Sequence, residues 1–173
     1  MNAYFIKCAL VAIFILIAVI TDYREYKIKN KHIMPFLISG LLLNGLVFGL
    51  SGLLDSLYGL LIPLALFPLF MLKMLGGGDI KALCAIGAIV GFTMSIYTVL
   101  FSIVAGGVIA LVFMLMRKNA WQRFKKLGIY LKQCFYLRKL LPYDRFVDEK
   151  SGFRFSLGIA GGFILTIINN TLA

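Results

Sequence analysis

Long apolar runs alternate with short charged segments along this chain. The first run, Tyr4 to Ile20, carries one cation, Lys7, and gives way to the charged stretch Thr21 to His32. A second runs from Ile33 to about Leu50 and is ended by Ser51-Gly52. The third, Leu53 to Leu72, contains Pro63 and Pro68, which should kink it. After Lys73-Met74-Leu75-Gly76-Gly77-Gly78-Asp79-Ile80-Lys81, no charged residue occurs from Ala82 to Met116. As one helix that stretch would measure about 50 Å, against a hydrocarbon core of about 30 Å. It therefore predicts two spans, with the turn at Gly91-Phe92-Thr93-Met94-Ser95. A last run covers about Phe155 to Ile168. The pattern predicts an all-α polytopic membrane bundle of about six transmembrane helices, forming one domain over residues 1–173. Several spans are short for a bilayer, so local thinning or burial among neighbours is expected.

Composition agrees with lipid rather than water as the solvent. Of the 173 residues, 61% are hydrophobic and only 14% charged, where a soluble domain is nearer half apolar and a quarter charged. The first run lacks a small-x-small cleavage site at its end and reads as a retained span rather than a signal peptide. The net charge of +11 could suggest nucleic acid, but the cations sit in loops between apolar runs, so no nucleic-acid partner is expected. All of the Lys and Arg except Lys7 fall in three groups: after the first span, in the Gly-rich turn, and in 117–154. With six spans and the N-terminus outside, all three groups lie on the cytoplasmic side, as the positive-inside rule requires. Cys8, Cys84 and Cys134 are far apart and form no C-x-x-C pair, so neither a zinc site nor a disulfide framework is expected.

Two of the seven acidic residues sit where a span meets the cytoplasmic face. Asp22 follows the first span, and Asp79 opens the fourth. Glu25, Asp55, Asp144, Asp148 and Glu149 lie in segments that can face water. An ionisable group at a span boundary is a functional candidate by default, whereas the plain alternative makes Asp22 a solvated interfacial residue and Asp79 a helix cap. The three glycines before Asp79 shift the balance, because a cap alone needs neither close backbone approach nor positive φ. Gly76-x-Gly78-Asp79 matches the G-x-G-D motif of intramembrane aspartyl proteases, and Gly-Gly-Gly-Asp-Ile-Lys, ending in Lys81, resembles the second catalytic motif of the type IV prepilin peptidases. Asp22, followed by Arg24, Ile28 and Asn30, is similar to their first motif. Lys29 stands where that family has Pro, and Phe153-Arg154-Phe155-Ser156 replaces its Pro-Phe/Tyr-Gly stretch in the last span.

The resemblance implies a membrane aspartyl endopeptidase with Asp22 and Asp79 as its catalytic pair, supported by Gly76, Gly78, Lys81 and Asn30. Two close carboxylates share a proton, which supplies a general base and a general acid together. The implied substrate is a prepilin: a basic leader, a Gly at the cleavage site, and an apolar helix in the membrane. Only about a dozen residues separate the first two spans and no cysteine pair is present, so the chain resembles the compact Flp/Tad-type enzymes without methyltransferase activity. No metal or cofactor is expected, and the place is the cytoplasmic (inner) membrane.

The segment of about 117–152 is the one sizeable non-spanning region. Trp121, Phe124, Leu127, Leu131 and Phe135 recur at helical spacing with cations on other faces, which predicts an amphipathic helix on anionic inner-leaflet lipid. Asp144, Asp148 and Glu149 are weak candidates for meeting a basic leader. His32 reads as an interfacial residue and Glu25 as a solvated partner of Arg24 or Lys29. A small proton-coupled transporter or channel using the same aspartates is the rival function, though it would call for charge near mid-span and none is there. A non-catalytic pilus or secretion assembly subunit is the third, though it would not need two same-side aspartates.

Overall fold

Two glycines with positive φ set the turns on one rim of the bundle: Gly49 (φ 66°) and Gly91 (φ 92°). The computed structural model describes residues 2–25, 30–71, 75–116 and 155–172, and among these every element is helical. The order is α1 (Asn2–Glu25), α2 (Asn30–Leu61), a 3₁₀ stretch (Ile62–Leu66), α3 (Phe67–Met71), α4 (Gly77–Val90), α5 (Phe92–Met116) and α6 (Phe155–Leu172).

Helix α2 is a hairpin of two limbs, because Gly49 adopts non-helical angles within it (φ 66°, ψ −148°). In a continuous helix Asn44 and Ser56 would stand about 18 Å apart. Instead the Asn44 amide donates to the Ser56 hydroxyl at 2.7 Å. The turn expected at Ser51-Gly52 thus falls at Gly49, where only glycine accepts the backbone without strain. Gly52 has a different role: a Cβ there would land on the Asn44 carbonyl oxygen and on Phe48. Past Leu61 the α-helix tightens to 3₁₀, with Pro63 in the first turn, as a residue without an N–H dictates.

Among the described residues, four stretches are long and apolar enough to cross a membrane: Ala3–Arg24, Asn30–Met71, Phe92–Phe113 and Phe155–Leu172. The second contains the hairpin and makes two passes. Helix α4 is the exception in length, since its 14 residues rise about 21 Å, less than a hydrocarbon core. It is surrounded instead. Ile80 and every residue from Ala82 to Val90 are buried, so α4 is the axis around which the other helices stand.

Close approach of α2 to α4 rests on small residues and buried polar groups. A Cβ on Gly59 would strike the Gly87 carbonyl oxygen, and one on Gly40 would come within 2.8 Å of the Ile89 backbone nitrogen. The Asn44 amide also reaches the carbonyls of Ala88 and Ile89 at 3.1 and 3.0 Å, and Ser56 donates to Ala88 at 2.6 Å. Such contacts join helices where lipid removes most of the hydrophobic drive. Helices α5 and α6 pack the same way, Gly106 on Gly158 and Ser102 on Gly162, while Gly107 faces open space. The outward faces remain apolar, with Ile13, Leu16, Leu46, Leu100, Val104 and Ile164 exposed, as lipid contact requires.

Gly91 separates α4 from α5, at the start of the turn expected over Gly91–Ser95. Asp55 accepts the Phe92 N–H at 3.0 Å and so caps α5 from the neighbouring hairpin limb. On this rim Ser51, Leu54, Asp55, Tyr58 and Phe92 line an open cleft of about 590 Å³. The amphipathic segment expected over 117–152, with Asp144, Asp148 and Glu149, lies outside the described residues.

Candidate active site

The inward face of α1 is a stripe of buried residues: Val11, Phe14, Ile15 and Ala18. Their spacing of three and four follows the helical period. One further step of four reaches Asp22. The helix does not stop at Ile20, where the apolar run ends, but continues to Glu25. Asp22 is therefore held on a helix, facing inward and 8% exposed. Its Oδ2 accepts a hydrogen bond from the Ser156 hydroxyl of α6 at 2.5 Å, and Ser156 is itself buried.

Asp79 lies in the first turn of α4, ahead of the apolar run Ala82–Val90 and so outside the part that crosses hydrocarbon. Gly76 precedes this helix in extended conformation (φ −73°, ψ 139°) and accepts the Asp79 N–H at 3.1 Å. A Cβ on Gly76 would sit 2.8 Å from Asp79 Oδ2, so the missing side chain leaves room for the carboxylate. A Cβ on Gly77 would come to 3.0 Å from the Phe70 ring. Close approach thus explains two of the three glycines. Positive φ does not, since among the described residues only Gly49 and Gly91 have it.

The charge of Asp22 reaches the Asp79 carboxyl. Burial pushes the Asp79 carboxyl up to about 6, the negative charge of Asp22 adds to that rise, and a hydrogen bond from the Gly76 backbone opposes it. A carboxyl so placed keeps a proton well above the range of a solvated aspartate, the condition for a pair that holds one proton between two acids.

Residues flanking both aspartates also meet. Lys81 Nζ donates to Asn30 Oδ1 at 3.2 Å, tying the start of α4 to the start of α2 on the rim that carries the acids. Asp55, by contrast, faces the opposite rim at the α5 cap. Gly78 is part-buried within the first turn of α4. His32 is half-buried at the start of α2. Lys29 and the side chain of Glu25 lie outside what is described. Among the described residues no three His, Cys, Asp or Glu side chains gather into a metal-binding group. Cys8 and Cys84 are free thiols.

Sequence reasoning missed Ser156. Its position was noted only as a departure from a motif, and no local pattern links it to an aspartate 134 residues earlier in the chain. The one available signal was a hydroxyl at the start of a span on the same side as Asp22.

No curated protein and no solved structure gives a significant match to the chain. The family model described as the type IV leader peptidase family matches residues 9–111, well over half of the sequence and enough to include both aspartates and the helices that carry them. The chain therefore belongs to the type IV leader peptidase family, whose members are aspartic peptidases.

Proposed function

We propose that this protein is a membrane aspartyl endopeptidase that removes the leader from prepilin-like substrates at the cytoplasmic face, with Asp22 and Asp79 as its catalytic pair. The observation that carries the reading is electrostatic. Carboxylates from two helices sit at one rim of a helical bundle, and the charge of one raises the proton affinity of the other. Such a pair activates water with one member and protonates the scissile carbonyl with the other, a division of labour worth about 10²–10⁴ in rate for each proton transfer.

The depth of the pair supports the substrate class. A prepilin presents a basic, water-facing leader followed by an apolar helix, so its scissile bond lies at the membrane boundary. Asp22 lies near the end of a membrane-length helix and Asp79 in the first turn of the buried α4, which supports reactive oxygens at that same level. The cation-rich segments after α1, before α4 and after α5 support a cytoplasmic placement for this rim, with the N-terminus outside and the cytoplasmic membrane as the location. The basic segment 117–152 is proposed to rest on anionic lipid there. The short connection between the first two spans supports a peptidase without methyltransferase activity.

Co-expression with a candidate prepilin, followed by mass spectrometry of the product, tests this reading. The expected product begins directly after the Gly that joins leader and helix. Cleavage elsewhere, or an intact leader at every expression level, contradicts it.

A further inference from the structure

Hydroxyl groups in this bundle mostly bond back along their own helix. Thr21, Ser39, Thr98, Thr166 and Thr171 each donate to a carbonyl three or four residues earlier, the usual resting place for a hydroxyl in an apolar helix. Ser56 and Ser95 reach carbonyls of other elements. Ser156 instead gives its proton to a carboxylate. It does so with both partners buried, 2% and 8% exposed, at 2.5 Å. Ser156 lies outside the region that matches the family, residues 9–111.

A buried hydroxyl donating to a carboxyl fixes that carboxyl's orientation on its helix. Among the described residues, Asp79 is held in its first turn by the Gly76 backbone instead. We infer that Ser156 is a positioning residue that makes the two aspartates unequal: by engaging Oδ2 it fixes the Asp22 carboxyl, so that Asp22 takes the proton of the attacking water while Asp79 holds the shared proton. This rests on the peptidase reading and deepens it. Water oxygen bonds to the scissile carbonyl carbon, its proton passes to Asp22, and the Asp79 proton passes to the carbonyl oxygen. On collapse the C–N bond breaks, the proton on Asp22 goes to the leaving amine, and a hydroxyl proton of the tetrahedral diol returns to Asp79. The pair ends as it began.

Among the described residues, few titratable groups face Asp22. Helix α6 brings no titratable side chain along Phe155–Leu172. Helix α4 brings Asp79, Lys81, which is bonded to Asn30, and Cys84. Helix α2 brings Lys31 and His32 at its first turn. On α1 itself Tyr23 and Arg24 flank the aspartate and point outward, with Glu25 next in the chain.

The test is kcat and KM, measured separately, for full-length enzyme in lipid vesicles, acting on a peptide with a basic leader, a Gly and an apolar helix. Ser156→Ala should lower kcat about tenfold while KM stays close to wild type. Ser156→Thr keeps the hydroxyl and should keep the wild-type kcat. Ser156→Cys, a weaker donor, should lower kcat in the same direction as Ala and serves if the Ala variant fails to accumulate. A wild-type enzyme that cleaves while the Ala or Cys variant keeps its kcat overturns this inference alone. A wild-type enzyme that cleaves nothing overturns the peptidase reading and this inference with it.

Discussion

At the scale of single residues, Asp79 joins reactivity and instability in one side chain. Its carboxyl titrates at about 6 in the folded protein against an ordinary 3.8. The folded form therefore holds the proton more tightly, and the contribution of Asp79 to stability is complete below about 4 and lost as pH rises through about 6. Asp79→Asn, neutral throughout, should unfold no earlier than wild type at pH 7. It should gain of the order of 1–3 kcal/mol, as measured by denaturation in detergent. The same proton bears on rate. Activity needs one proton on the pair, so kcat/KM should fall as pH rises above about 6, with an alkaline limb approaching tenfold per pH unit. A profile flat from pH 6 to 9 would count against a proton shared by Asp22 and Asp79. Asp55 provides the contrast. It caps α5, so Asp55→Ala should cost about 1 kcal/mol of stability while leaving kcat of the surviving enzyme close to wild type.

At the scale of elements, glycines divide into those that fill a contact and those that do not. Gly87 faces Gly59 so closely that a Cβ on it would overlap the Gly59 carbonyl oxygen, and backbone cannot step aside. Gly87→Ala should lose about 2–3 kcal/mol or fail to fold, in line with overpacking penalties. Gly107 meets nothing within 4 Å, so Gly107→Ala should be neutral or raise the melting temperature slightly through helix propensity. Equal effects from the two would contradict the packing described. Much of this level was legible in the sequence. The uncharged stretch from Ala82 had to break because it exceeded a bilayer, and Gly91 is where it breaks. Pro63 had to end α-helical hydrogen bonding, and the chain turns 3₁₀ there. The hairpin turn was misplaced by a few residues because Gly49 and Gly52 look alike in sequence: one supplies a left-handed backbone, the other a surface for Asn44. Helix α1 runs on to Glu25, past the end of the first apolar run at Ile20, since charge at a membrane surface ends an apolar run without ending a helix.

At the scale of the whole molecule, alternating runs and the placement of cations were enough to foresee a polytopic helical bundle with Asp22 and Asp79 on one side. What stayed hidden were contacts between distant parts of the chain: Ser156 with Asp22, Lys81 with Asn30, and Asp55 with the α5 cap. Each depends on how helices pack, which no local spacing encodes. The proposed orientation makes its own prediction. In a cysteine-free background, Ser51→Cys on the Gly49 rim should react with a membrane-impermeant maleimide added to intact cells, whereas Lys31→Cys should react only after lysis. The reverse pattern would invert the bundle and carry the aspartates to the wrong side for a cytoplasmic leader. The most direct measurement remains cleavage of a co-expressed prepilin by wild type, Asp22→Asn and Asp79→Asn, read as a gel shift alongside the amount of each variant in the membrane. Asn preserves shape but cannot exchange the proton. The account predicts full cleavage by wild type and at least a hundredfold loss in both variants at unchanged membrane levels; retained cleavage by either variant would contradict it.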